Sequence, residues 1–154
     1  MKSFKIILAI ITALTLFGCR NEQFNIDPED VTAKILSELD FPSPVEKTLS
    51  DIPDYYDIPT DDLESASFVI CGSGAYPDEI AAFKFISDEK ASGAAEALKK
   101  RLNDQIDLYE AYTPDEMYKL EGAEIIIDSN YAFLCATSDN ETAKKIIDDF
   151  LNKK

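Results

Sequence analysis

The chain has 154 residues, with 30 acidic against 15 basic side chains, three Cys, no His and no Trp, and a formal charge of −15. That length suits one domain with short appendages, and an apolar content of 45% is too high for a disordered chain. The charge excludes nucleic acid as a partner and docking on anionic lipid through a basic patch. The lack of His excludes imidazole dyads and triads and the commonest zinc sites.

Met1-Lys2-Ser3-Phe4-Lys5 is a short basic start, and residues 6–17 form a mostly apolar run. At about 1.5 Å per residue the run spans roughly 18 Å, short of a ~30 Å hydrocarbon core, so it reads as the apolar region of a signal peptide. Leu16-Phe17-Gly18-Cys19 follows and resembles the bacterial lipobox, in which the Cys is lipidated and the chain is cleaved just before it. Phe17 departs from the small or β-branched residue usual at its position. The chain is thus expected to divide into a lipoprotein signal peptide (1–18), a lipidated Cys19 with a polar tether (19–27), and one domain (28–154). Loss of Lys2 and Lys5 would take the charge from −15 to −17. Acyl chains on Cys19, at about 0.8 kcal/mol per buried methylene, would hold this acidic domain at the extracytoplasmic face of the cell membrane.

Asp27-Pro28-Glu29-Asp30 offers an N-cap, Pro at the first helical position and acids in the first turn, and Val31, Ile35, Leu36 and Leu39 recur at helical spacing. A helix is expected over 28–40. Residues 41–64, with four Pro and seven acids, read as a loop with one helical turn near Tyr55-Tyr56. Phe68-Val69-Ile70-Cys71 and residues 79–86 read as a hairpin joined by a loop over 72–78. Ser87-Asp88 then caps a helix with an apolar stripe of Ala91, Ala94, Ala95, Leu98, Leu102, Ile106 and Tyr109; Lys99, Lys100, Arg101 and Asp104 fall on its polar face. Thr113-Pro114-Asp115-Glu116 fits a capping box for a short helix ending before Gly122. A second hairpin follows, 123–127 and 131–137, turning at Asp128-Ser129-Asn130. Ser138-Asp139-Asn140-Glu141 then opens a last helix with Ala143, Ile146, Ile147, Phe150 and Leu151 on one face.

The expected fold is α+β: an N-terminal helix followed by two ββα units, with helices packed on a four-stranded, mainly antiparallel sheet. Phe83 and Phe85 oppose Ile80, Ala82 and Ile86, and Tyr131, Phe133 and Cys135 oppose Ala132, Leu134 and Ala136, so both sheet faces are apolar. Either the N-terminal helix covers the second face or that face is left for a partner, coverage being the expectation. Phe83 and Phe133 are expected in one core beneath the two ββα helices.

Four stretches, Tyr55-Tyr56-Asp57-Ile58, Gly72-Ser73-Gly74-Ala75-Tyr76-Pro77-Asp78-Glu79-Ile80-Ala81, Arg101-Leu102-Asn103-Asp104-Gln105 and Tyr112-Thr113-Pro114-Asp115-Glu116, resemble the domain-of-unknown-function 4358 family of bacterial, mostly Gram-positive, lipoproteins. The likeness runs over residues 30–152. It implies an exported, lipid-anchored α+β domain without an established activity.

Gly72-Ser73-Gly74 lacks the third glycine and following helix of a dinucleotide fingerprint, and Ser73 is not in a nucleophile elbow. The glycines suit a tight turn at positive φ, and Asp78-Glu79 suits a charged strand entrance capping the loop's own amides. Set against that structural reading, Gly72, Ser73, Gly74, Tyr76, Asp78 and Glu79 are the candidate binding residues, with Asp78 and Glu79 expected at a strand entrance with side chains facing solvent, mattering more for a partner than for folding. Cys71 and Cys135 would form a disulfide only if their strands adjoin; buried free thiols are the expectation. Asp51, Asp54, Asp57, Asp61, Asp62 and Glu64 lack the spacing of a calcium loop and read as solvated acids. No catalytic constellation, metal site or cofactor is expected. A binding module facing an unidentified envelope protein or ligand is therefore expected ahead of a carboxylate-dependent cell-wall hydrolase or a calcium-binding surface domain.

Overall fold

The computed structural model describes residues 25–153. The expected signal peptide and Cys19 lie outside the described residues. The elements run α1 (Pro28–Glu38), β1 (Pro44–Lys47), α2 (Ile52–Tyr55), β2 (Leu63–Cys71), β3 (Glu79–Phe85), α3 (Asp88–Gly93), α4 (Ala95–Tyr112), α5 (Met117–Glu121), β4 (Glu124–Asp128), β5 (Tyr131–Ala136) and α6 (Asn140–Leu151). The strands form one antiparallel sheet of order β1-β2-β3-β5-β4.

The sheet has five strands, not four. The extra one, β1, comes from the Pro-rich segment read as a loop, and it pairs from Pro44↔Cys71 to Lys47↔Phe68. Pro44 lacks an N–H, yet a proline is tolerated as the first residue of an edge strand. The chain reaches it through Ser43, at φ 45°, whose carbonyl accepts from the Gly72 N–H at 2.9 Å. A side chain at Gly72 would meet Val45 Cγ2 at 2.5 Å, so this glycine allows the edge strand to close in, whereas Gly74 supplies the left-handed turn residue at φ 66°. The single helical turn expected near Tyr55 is α2.

Side-chain caps explain the starts of α1, α3 and α6. Asp27 accepts from the Glu29 N–H at 3.0 Å, and Ser87 from the Lys90 N–H at 3.3 Å. For α6 the cap sits one residue later than expected: Asp139 accepts from the Thr142 N–H at 3.0 Å, while the Ser138 hydroxyl turns to the Asp40 carbonyl. Thr113 makes no side-chain cap bond. The long helix expected after Ser87 is two, α3 and α4, meeting at Gly93 and Ala94.

Both sheet faces are covered. Val69, Ile80, Ala82, Tyr131, Phe133 and Cys135 pack under α1 and α6, against Val31, Ile35, Ala143 and Ile147. Phe68, Ala81, Phe83, Phe85, Ala132 and Leu134 pack on the other face under α2, α3 and α4, against Ile52, Tyr56, Ala91 and Leu98. The helices of the two ββα units therefore lie on opposite sides, and Phe83 and Phe133 do not share a core. The register decides this: Phe83 stands opposite Ala132, and Phe133 opposite Ala82. Residues paired directly across strands share a face, and a step of one residue crosses to the other. Every residue of β3 is buried, including Lys84, which reaches Glu64 Oε1 at 2.5 Å and Asn25 Oδ1 at 2.9 Å.

Candidate functional site

The 72–78 loop is held as a stiff structure. The Cys71 N–H donates to the Asp78 carbonyl at 2.9 Å across its base, and Ser73 Oγ accepts from the Ala75 N–H at 3.2 Å. From α4 the Tyr109 hydroxyl reaches two loop carbonyls, Tyr76 at 2.9 Å and Gly74 at 3.2 Å. This contact raises no question of reactivity: burial lifts the Tyr109 phenol above its ordinary value, and the phenol stays a donor.

Asp78 and Glu79 do not face solvent. They are 1% and 2% exposed and anchor the loop to two different helices. Asp78 Oδ2 accepts from Lys119 Nζ of α5 at 2.7 Å, and Lys119 also meets Glu116 Oε2 at 2.8 Å. Burial raises the Asp78 carboxyl above its usual range, with Lys119 offsetting only part of that. Burial also pulls Lys119 down, but its bonds to Asp78 and Glu116 outweigh this and hold it charged. Asp78 Oδ1 has no hydrogen-bond partner among the described residues.

Glu79 lies on the opposite side of the loop base. Its oxygens accept from Arg101 Nε at 3.2 and 3.1 Å, from Arg101 Nη2, from Gln105 Nε2 at 3.1 Å and from the Tyr56 hydroxyl. Burial, and then the Glu79 charge, push the Tyr56 phenol well above its ordinary value, so it donates and does not ionise. The Arg101 guanidinium also faces the Tyr55 and Tyr56 rings, 5.3 and 5.9 Å from their centroids. Arg101, expected on a solvated face, is the main partner of a buried carboxylate. One signal was available in the sequence: Arg101 and Gln105 are spaced i, i+4 and so project together from one helix.

What the loop does present is aromatic. Tyr76 is 41% exposed and Tyr118 is 53% exposed, and their ring centroids lie 5.1 and 5.9 Å from Lys119 Nζ. Tyr112, one helical turn beyond Tyr109, is 77% exposed. Gly72, Ser73, Gly74 and Tyr76 are thus at the surface, and Asp78 and Glu79 lie beneath them as supports.

The remaining candidates disperse. Cys71 and Cys135 are free and buried, and β3 stands between their strands. Burial, with smaller contributions from Glu124 and Glu79, pushes the Cys135 thiol up to about 12. Asp51 caps Thr48, Asp62 pairs with Lys90 at 2.9 Å, and Glu64 pairs with Lys84. No group of three or more Cys, Asp or Glu side chains that could hold a metal occurs among the described residues. No helix of the described residues is long and apolar enough to cross a membrane.

No curated protein and no solved structure is found to match the chain. A family model, the domain of unknown function DUF4358, matches residues 37–137. That span holds every strand, the 72–78 loop, and both of its buried anchors, Asp78–Lys119 and Glu79–Arg101. The chain belongs to the DUF4358 family.

Proposed function

We propose that the chain is a lipid-anchored extracytoplasmic binding module that meets its partner through the 72–78 loop and the tyrosines beside it. The observation that carries this reading is the exposure of Tyr76 and Tyr118 over a loop whose backbone is fixed by Tyr109 and whose base is fixed by two buried ion pairs. Rigid aromatic side chains bind at low entropic cost, and a pre-organised loop has little ordering left to lose. The lipobox-like Leu16-Phe17-Gly18-Cys19 supports the anchor. The carboxylate-hydrolase reading has less support, because the two loop carboxylates are each committed to a cation. The calcium reading has less support still, because Asp51, Asp62 and Glu64 of its acids go to separate partners.

The test combines location and capture. Intact cells carrying the wild-type chain, Cys19→Ala, or Tyr76→Ala with Tyr118→Ala are crosslinked, fractionated and pulled down. Cys19→Ala is expected to leave the membrane fraction. The tyrosine variant is expected to stay there, melt like wild type and lose the crosslinked partner. Membrane retention of Cys19→Ala would refute the anchor, and unchanged crosslinking of the tyrosine variant would refute the contact surface.

A further inference from the structure

The sheet has two edges of opposite character. At β1 the edge begins with Pro44, carries Glu46 and Lys47 and is only four residues long, the features by which edges avoid pairing. At the other end, β4 is Glu124-Ile125-Ile126-Ile127-Asp128, three consecutive β-branched residues between two acids. It pairs only with β5 among the described residues, and in an antiparallel ladder alternate residues aim their N–H and C=O groups to the far side.

The charges select what can add there. Side chains alternate along a strand, so Glu124, Ile126 and Asp128 share one face and Ile125 and Ile127 the other; Ile126 packs with the core under α1 and α6, and Ile125 and Ile127 with the opposite one. A second copy added antiparallel about Ile126 would place Glu124 against Asp128, and a parallel copy would stack like on like. Both arrangements set acids directly opposite acids, which disfavours self-pairing. A strand with basic residues four apart instead meets both acids in either direction. The acidic chain as a whole would also draw such a segment toward it.

We propose that β4 is a strand-addition site for an extended partner segment of the pattern basic-x-β-branched-x-basic. Main-chain bonds along the edge would supply affinity, and the two acid–base pairs the selectivity. The site is independent of the tyrosine surface, so either can fail alone.

Fluorescence anisotropy on the full chain in mild detergent would use two labelled peptides, Ser-Lys-Thr-Ile-Thr-Lys-Ser and Ser-Glu-Thr-Ile-Thr-Glu-Ser. The basic peptide is expected to bind about tenfold more tightly or better, with the difference shrinking as salt is added. Glu124→Lys with Asp128→Lys is expected to invert the preference. If that variant does not fold, Glu124→Gln with Asp128→Asn is expected to abolish it. Equal binding of both peptides to wild type, no binding of either, or a preference unchanged in the neutral variant would each overturn the proposal. So would a dimer in sedimentation that Glu124→Gln with Asp128→Asn does not alter.

Discussion

Glu79 is the residue on which the site turns, because it is a carboxylate buried at the start of β3. Removing a carboxylate from water is costly, and the cost is met here by Arg101, Gln105 and the Tyr56 hydroxyl together. Breaking such a pair leaves an uncompensated charge, while replacing both partners with apolar groups of similar size does not. Glu79→Gln and Arg101→Met are each expected to destabilise by about 3–5 kcal/mol, and Glu79→Leu with Arg101→Met to recover most of that loss. Urea unfolding of these variants, with Glu79→Leu alone added to close the cycle, gives the coupling. Costs that simply add would mean that the pair is not acting as a unit. An exposed binding carboxylate at this position would lead to a different expectation, a Glu79→Gln change within about 0.5 kcal/mol of wild type. The burial of Glu79 is what separates the two.

At the level of elements, the sheet is a partition between two cores. Phe83 is buried with Phe68, Phe85 and Leu98 on one side, and Phe133 with Ile35 and Ile147 on the other. Truncating either to Ala is expected to cost about 3–5 kcal/mol through lost burial and the cavity left behind. Because the two side chains belong to separate clusters on opposite faces of the sheet, the costs of Phe83→Ala and Phe133→Ala are expected to add within about 0.5 kcal/mol. Chemical denaturation of the double variant, in a background stable enough to hold it, checks this. Strong non-additivity would place the rings in one cluster after all. The elements themselves were largely legible: the periodicities of α1, α4, α6 and the two hairpins are strong, and the caps of α1 and α6 stand within a residue of where the spacing sets them, whereas Ser87 caps α3 and not α4. The exception, β1, has no hydrophobic alternation of its own. It is a strand because β2 offers it a free edge and Gly72 lets it approach.

For the molecule as a whole, 30 acids against 15 bases make self-repulsion a standing cost of compactness. Many of the surface ion pairs are helical neighbours such as Lys34–Glu38 and Lys100–Asp104, which contribute little. Screening should then help more than it harms. Raising sodium chloride from about 0.02 to about 0.5 M shortens the screening length severalfold and is expected to raise the melting temperature. A melting temperature that falls with salt would show that the attractive pairs outweigh the repulsion.

The chain's own order of residues settles what depends on near neighbours. The excess of acids, the short apolar run before Cys19, the helix and strand periods, the loop over 72–78 and the apolar character of both sheet faces follow from spacing and composition, since capping and alternation act within a few residues. The tertiary structure settles what depends on distant ones. It decides that β1 joins the sheet, that the two ββα helices take opposite faces, and that Asp78 and Glu79 turn inward to Lys119 and Arg101. These cations stand 41 and 22 residues further along the chain. Whether a carboxylate meets water or a guanidinium is a question of which surfaces pack together, and packing is decided by the whole chain at once.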